Sequence, residues 1–148
     1  MSASQLSQLY DDDLYTWAMR NTELLHQGRF DQIDVAHIAE EIESVGKSER
    51  RELENRLIVL LAHLLKWRAR PERRGRRWRA MIKEQRRRVA GVLKTNPGLQ
   101  PLLDEILDEA YQSARLVAFR ETDLDEAAFP EVCPYAFEDV LADEFWSD

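Results

Sequence analysis

Apolar residues recur every three or four positions along almost all of the 148-residue chain, which is the period of an α-helix. No stretch alternates as a half-buried strand does. The first such segment spans about Asp12 to Gln27, with Leu14, Trp17, Ala18, Asn21, Leu24 and Leu25 on one face. Asp11, Asp12 and Asp13 supply an N-cap and negative charge at the positive end of the helix dipole, and Gly28 ends the run. The second segment opens at Asp34, a good N-cap. Val35, Ile38, Ala39, Ile42, Gly46, Leu53, Leu57, Leu60, Leu61, Leu64 and Trp67 fall on one stripe. Because the phase survives Gly46, the pattern predicts one uninterrupted helix from Asp34 to about Arg70, of ~37 residues and ~55 Å. A break at Gly46, with Ser48 and Glu52 opening a fresh helix, is the competing reading. A mid-helix glycine costs ~1 kcal/mol, and its place on the stripe would let another backbone come close. Pro71 ends the helix either way.

A third helix spans about Glu72 to Lys94, with Trp78, Met81, Ile82, Gln85, Val89, Val92 and Leu93 as its stripe. Thr95-Asn96-Pro97-Gly98 is a stop and a turn. A fourth spans about Leu99 to Phe119, with Leu99, Leu102, Leu103, Ile106, Leu107, Ala110, Ala114 and Val117 facing inward. Short turns between segments of ~20–23 residues make antiparallel neighbours. A short helix from about Tyr135 to Leu141 would bury Phe137, Val140 and Leu141, leaving Phe145 and Trp146 in need of a docking groove. Trp67 and Trp78 flank the Pro71 turn and should pack together there. The fold class expected is all-α: a single-domain bundle, residues 1–148, of about five helices around a long second helix. Glu49 and Arg50 interrupt the apolar stripe. Either they pair with another helix in a buried contact, or they mark a solvated gap along a helix too long for one bundle; the second is favoured, and its outer end then needs other cover.

The composition agrees with this picture. Five glycines and five prolines are too few for a collagen-like or linker-like chain, and a third of the residues are charged. Cys133 is the one cysteine, so no internal disulfide or multi-cysteine metal site can form. The start, MSASQLSQLYDDD, has no basic, apolar leader pattern, and the longest apolar run, Leu57 to Leu65, is too short to span a bilayer. The expectation is a cytoplasmic protein with no membrane partner.

Three runs, AEEIESVGKSERRELENRLIVLLAHLLKW, PERRGRRWRAMIKEQRRR and FPEVCPYAFEDVLADEFW, occur in that order. In this the chain resembles a bacterial family catalogued as domain of unknown function twenty-nine, over nearly its whole length. HLLKW, WRAMIKEQRRR and CPY carry the resemblance best. It implies an all-helical fold of this length and no activity, cofactor or catalytic residue.

Charge is strongly segregated. Residues 66–94 hold thirteen basic and two acidic residues, whereas the whole chain carries a net charge of −7. With Trp78 at the centre of the third helix's stripe, Arg76, Lys83, Arg87 and Lys94 lie together on the opposite side. Arg79 and Arg86 occupy one flank and Arg77 and Arg88 the other, where Glu52, Glu54, Asp104, Glu105, Asp108 and Glu109 of neighbouring helices could neutralise them. A network of such pairs would fix helix register. A solvated cationic face could instead contact an anion, either a nucleic-acid backbone or an acidic protein surface. The acidic remainder of the chain opposes phosphate binding, and the helices are too long for a helix-turn-helix.

Other chemistry is sparse. His37, Glu40 and Glu41 have metal-binding spacing, but the arrangement occurs once and His37 should face solvent. His37 and His63 would be ~39 Å apart on a continuous helix, too far to share an ion. His63 should be half-buried beside Leu60, Leu64 and Trp67. His26 suits the C-terminal end of the first helix, and Cys133 suits a buried turn. No phosphate loop, nucleophile triad or paired acid in an apolar setting appears. The expectation is therefore no catalytic, cofactor or metal site, and no cofactor. The expected role is a protein–protein interaction or assembly module, most readily a homo-oligomer such as a homodimer. A nucleic-acid-binding regulator using Arg76, Lys83, Arg87 and Lys94 is the alternative.

Overall fold

The computed structural model describes residues 1–147. Six α-helices and no strand occur among them, so the chain is all-α as the periodicity predicts. Internal contacts gather into two compact units, Met1–Lys47 and Ser48–Asp148.

In the first unit, α1 (Ala3–Asp12) and α2 (Leu14–His26) stand where one helix was predicted. The extra helix α1 is short and polar and buries only Leu6, so it has almost no stripe to announce it. It starts with a reciprocal capping box between Ser2 and Gln5. Asp13 closes α1 and caps α2, accepting from the Thr16 backbone N–H at 3.1 Å and from its hydroxyl at 2.6 Å. Gly28 adopts φ 72°, the left-handed conformation that lets the chain leave a helix without a Cβ clash. Of the predicted face on α2, Trp17 and Asn21 are buried while Leu14 and Leu25 are exposed.

Helix α3 (Val35–Ala69) is the longest and runs without a break through Gly46. Asp34 Oδ1 accepts from the His37 backbone N–H at 3.4 Å, as the N-cap reading requires. Two expectations about α3 need correction. Among the described residues nothing lies within 4 Å of where a Gly46 Cβ would be, so none of them uses that gap. The apolar stripe is also buried only from Leu53 onward: Val35 and Ile42 are 64% and 68% exposed, and Val45, outside the predicted stripe, is 66% exposed beside them.

The second unit is built on the buried part of that stripe. A 3₁₀ turn at Pro71–Arg73 precedes α4 (Arg76–Thr95), and another at Pro97–Leu102 precedes α5 (Leu103–Glu121). Both helices start about four residues later than predicted, because each proline opens a tighter turn first. Leu53, Leu57, Leu60, Leu61 and Leu64 pack with Ile82 and Val89 of α4 and Ile106 of α5. Ala110, Ala114 and Ala118 make one small-residue row on α5 that belongs to the same core. Tyr111 is fully buried and donates to the Pro130 carbonyl at 2.5 Å. Arg115 donates to the Phe129 carbonyl at 3.1 Å and pairs with Glu126 at 3.0 Å, which pins the chain leaving α5. α6 (Phe137–Leu141) buries Val140 fully, with Phe137 and Leu141 half-buried.

The stripe interruption resolves between the two readings. Glu49 is exposed and accepts from Asn96 Nδ2 at 2.9 Å. Arg50 is half-exposed and lies 3.5 Å from Glu109 and 3.7 Å from Glu105. Among the described residues, no helix is long and apolar enough to cross a membrane.

Candidate functional site

Helix α4 carries the densest charge in the chain, and its cations divide by what they touch. Arg76, Lys83, Arg87 and Lys94 are all exposed. No hydrogen bond or ion pair joins any of the four to another described residue, whereas Arg88 pairs with Glu84 on its own helix at 3.0 Å.

The flanking arginines do not pair with carboxylates of neighbouring helices as expected. Arg86 is buried, at 3% exposure. Its Nε donates to the Val140 carbonyl at 2.8 Å, one terminal nitrogen to that of Asp143 at 3.4 Å, and the other closely to that of Phe145. One guanidinium thus gathers three carbonyls of the C-terminal segment in a fork an ammonium could not match. Burial pushes its pKa below the usual arginine value, partly offset by Asp143 and Glu144. The guanidinium of Arg79 lies 5.5 Å from the Trp67 ring centre and 5.0 Å from that of Trp146. Of the carboxylates expected to neutralise the flanks, Glu52 pairs with Arg56 at 2.7 Å, and Glu109 and Glu105 lie against Arg50 at 3.5 and 3.7 Å.

The tryptophans also depart from expectation. Trp67 packs on Trp146, with ring centres 4.8 Å apart, so Trp146 fills the place expected for Trp78. Trp78 is half-buried beneath the Lys66 ammonium, 5.6 Å from its ring. Lys66 is itself buried and pairs with Glu121 at 2.8 Å.

A polar cluster in the first unit overturns the solvent-facing placement of His37. Its ring stacks on Tyr10 with centres 4.0 Å apart, and its Nδ1 lies 2.7 Å from Asp34 Oδ2 and 3.3 Å from Ser7 Oγ. Trp17 Nε1 donates to the same Asp34 oxygen at 2.9 Å. Tyr10 hydrogen-bonds Glu41 closely, which pushes the phenol up to about 12. The Asp34 hydrogen bond raises the His37 pKa above its ordinary value, against a smaller opposing effect of burial. For Asp34, burial acts upward, yet the bonds from Trp17 and His37 together hold it below the carboxylate range. Serine and aspartate both approach Nδ1, so this is not a nucleophile triad, which needs them on opposite ring nitrogens. Ser7 and Tyr10 escaped the sequence reading along with α1 itself.

The remaining candidates sit as expected. His63 is half-buried, with Nδ1 2.8 Å from the Val59 carbonyl, and burial lowers its pKa. Cys133 is half-buried in its turn, and burial raises its thiol pKa, the reverse of what a nucleophile needs. His26 lies in the last turn of α2. Among the described residues, no group of three histidine, cysteine or acidic side chains is placed to hold a metal ion.

The architecture is thus an all-helical one. The family model described as domain of unknown function DUF29 matches residues 9–146, and the chain belongs to that family. No curated protein and no solved structure matches the chain.

Proposed function

We propose that the protein is a non-catalytic assembly module that pairs with a second copy of itself through the outer half of α3. The observation that carries this reading is the bare stripe of Val35, Ile42 and Val45, with Ile38 half-buried beside them. These positions follow the three-and-four spacing of a helix-pairing seam. Burying an exposed aliphatic side chain of this size contributes about 1–2 kcal/mol, so the seam from two copies can offset an association cost of ~4–15 kcal/mol only narrowly. A weak, concentration-dependent dimer follows. Gly46 would then supply the close approach that no described residue exploits. Sedimentation equilibrium tests the reading. The wild type should dimerise at micromolar concentration, and Ile42→Asp with Val45→Asp should be monomeric with unchanged helicity. A wild type that stays monomeric at ~200 μM defeats it.

A second reading, nucleic-acid binding, is favoured by the unpaired, exposed Arg76, Lys83, Arg87 and Lys94. It requires retention on duplex DNA or RNA that falls steeply with salt and drops when these four are changed to glutamine. Retention that ignores salt, or none at ~50 mM, removes it.

A further inference from the structure

Helix α1 is held on α3 by polar, titratable groups rather than by an apolar face. It buries only Leu6. Its holds on α3 are the Tyr10 ring, stacked on the His37 imidazole with centres 4.0 Å apart, the Ser7 hydroxyl, 3.3 Å from His37 Nδ1, and the close bond from Tyr10 to Glu41. Tyr10 also meets the Trp17 ring of α2, with centres 4.9 Å apart. Asp13 alone separates α1 from α2, closing one helix and capping the next. A single connecting residue lets α1 swing as a unit once its side-chain holds weaken.

The charges around these contacts are mostly negative. Asp11 stands on α1, and Asp34, Glu40 and Glu41 stand on α3; His37 is the counter-charge among them. Helix α2 presents the neutral Trp17 ring, edge-on to His37 at 6.5 Å. The His37 side chain is 24% exposed, so solvent can exchange its proton. As an imidazolium it pairs with Asp34 at 2.7 Å, attracts Asp11 toward α3 and sets a cation on the face of the Tyr10 ring. As a neutral ring it can still donate Nδ1–H to Asp34 and keep its place. What it loses is charge, and Asp11 then faces the α3 carboxylates without that offset.

We propose that α1 is a clasp, hinged at Asp13, that closes on α3 while His37 carries its proton and opens when His37 gives it up. Opening bares Leu6 and the side of Trp17 that Tyr10 covers. The Asp34 bond, partly opposed by burial, raises the His37 pKa above 6.5. The closing contribution is therefore full below 6.5 and is lost as pH rises through the raised value. None of these groups belongs to the exposed seam of Val35, Ile42 and Val45, so the clasp does not rest on pairing of two copies.

Hydrogen exchange of the full chain at one dilute concentration, ~5 μM, tests this across pH. A free helix of 10 residues does not hold in water, so opening of the clasp reads as exchange of the amides of residues 7–12. Dividing their rate by that of the α2 amides cancels the intrinsic rise with pH. The ratio should grow about threefold or more from about pH 6 to about pH 9. Asp11→Asn, a change at an exposed position, should shrink that growth and lower the His37 pKa in a histidine NMR titration. His37→Gln should hold the ratio flat at the wild type's alkaline level, with α2 protection unchanged. A wild-type ratio that does not move with pH, or the same growth in His37→Gln, would overturn the proposal. So would a ratio that grows toward acid, which assigns control of the clasp to protonation of Glu41 instead.

Discussion

Replacing Arg86 by methionine keeps most of the buried stem volume and removes the group that holds the C-terminal segment to α4. Two of its bonds are close, to the carbonyls of Val140 and Phe145, and the third, to Asp143, is long at 3.4 Å. Bonds from an ionised donor contribute roughly 1.5–3 kcal/mol each, and the Trp146 ring, 5.3 Å from the guanidinium, adds about 1 kcal/mol. Against these stands the cost of burying a guanidinium that no carboxylate pairs, visible in its lowered pKa. The net loss for Arg86→Met should be about 3 kcal/mol, or a fall in Tm of roughly 6–12 °C for a chain of this size. Release of α6 and the segment after it caps the loss, because freed carbonyls can hydrate. Urea unfolding followed by circular dichroism gives the global value, and tryptophan fluorescence reports whether Trp146 has left Trp67. Arg86→Lys should recover less than half, since one ammonium cannot reach three carbonyls. A loss under ~0.5 kcal/mol for Arg86→Met, or full recovery by lysine, would refute the reasoning.

Tyr111→Phe removes only the hydroxyl that donates to Pro130, so urea unfolding should show a loss of about 1–2 kcal/mol with no change in the helical spectrum. Gly46→Ala fills open space in an exposed helix and should stabilise the dilute protein by ~0.5–1 kcal/mol. The two imidazoles should titrate on opposite sides of the ordinary value of 6.5 in a histidine NMR titration, His37 above it and His63 below. The folded state binds a proton at His37 more tightly than the unfolded chain. That contribution is full below 6.5 and is lost as pH rises through the raised value. At His63 the unfolded chain binds the proton more tightly, so stability falls as pH drops from 6.5 toward the lowered value. Asp34→Asn should bring His37 back toward 6.5 and leave His63 where it is.

Much of the helical plan can be read from periodicity because the same stripe that marks a helix also buries it. That is why α3 could be followed through Gly46, and why Leu53 to Leu64 emerge as the core. Periodicity says which face would be buried, not whether anything covers it, so Val35 and Ile42 read as core while standing in solvent. Helix α1 buries one leucine and otherwise docks through Ser7 and Tyr10 on His37 and Glu41, contacts that leave no apolar stripe in a polar sequence. Trp67 was matched to its nearest aromatic in the chain, Trp78, whereas its partner Trp146 comes from the far end. Arg86 was read as a partner for carboxylates because charge is visible in a sequence. Its true acceptors are backbone carbonyls, which every residue has and no sequence pattern marks.

Hydrogen exchange at two protein concentrations tests most directly whether the uncovered half of α3 is an assembly surface. Between ~5 and ~200 μM, amides of residues 35–49 should gain protection while those of 53–67, already in the core, stay unchanged. Equal exchange across 35–49 at both concentrations would contradict the account.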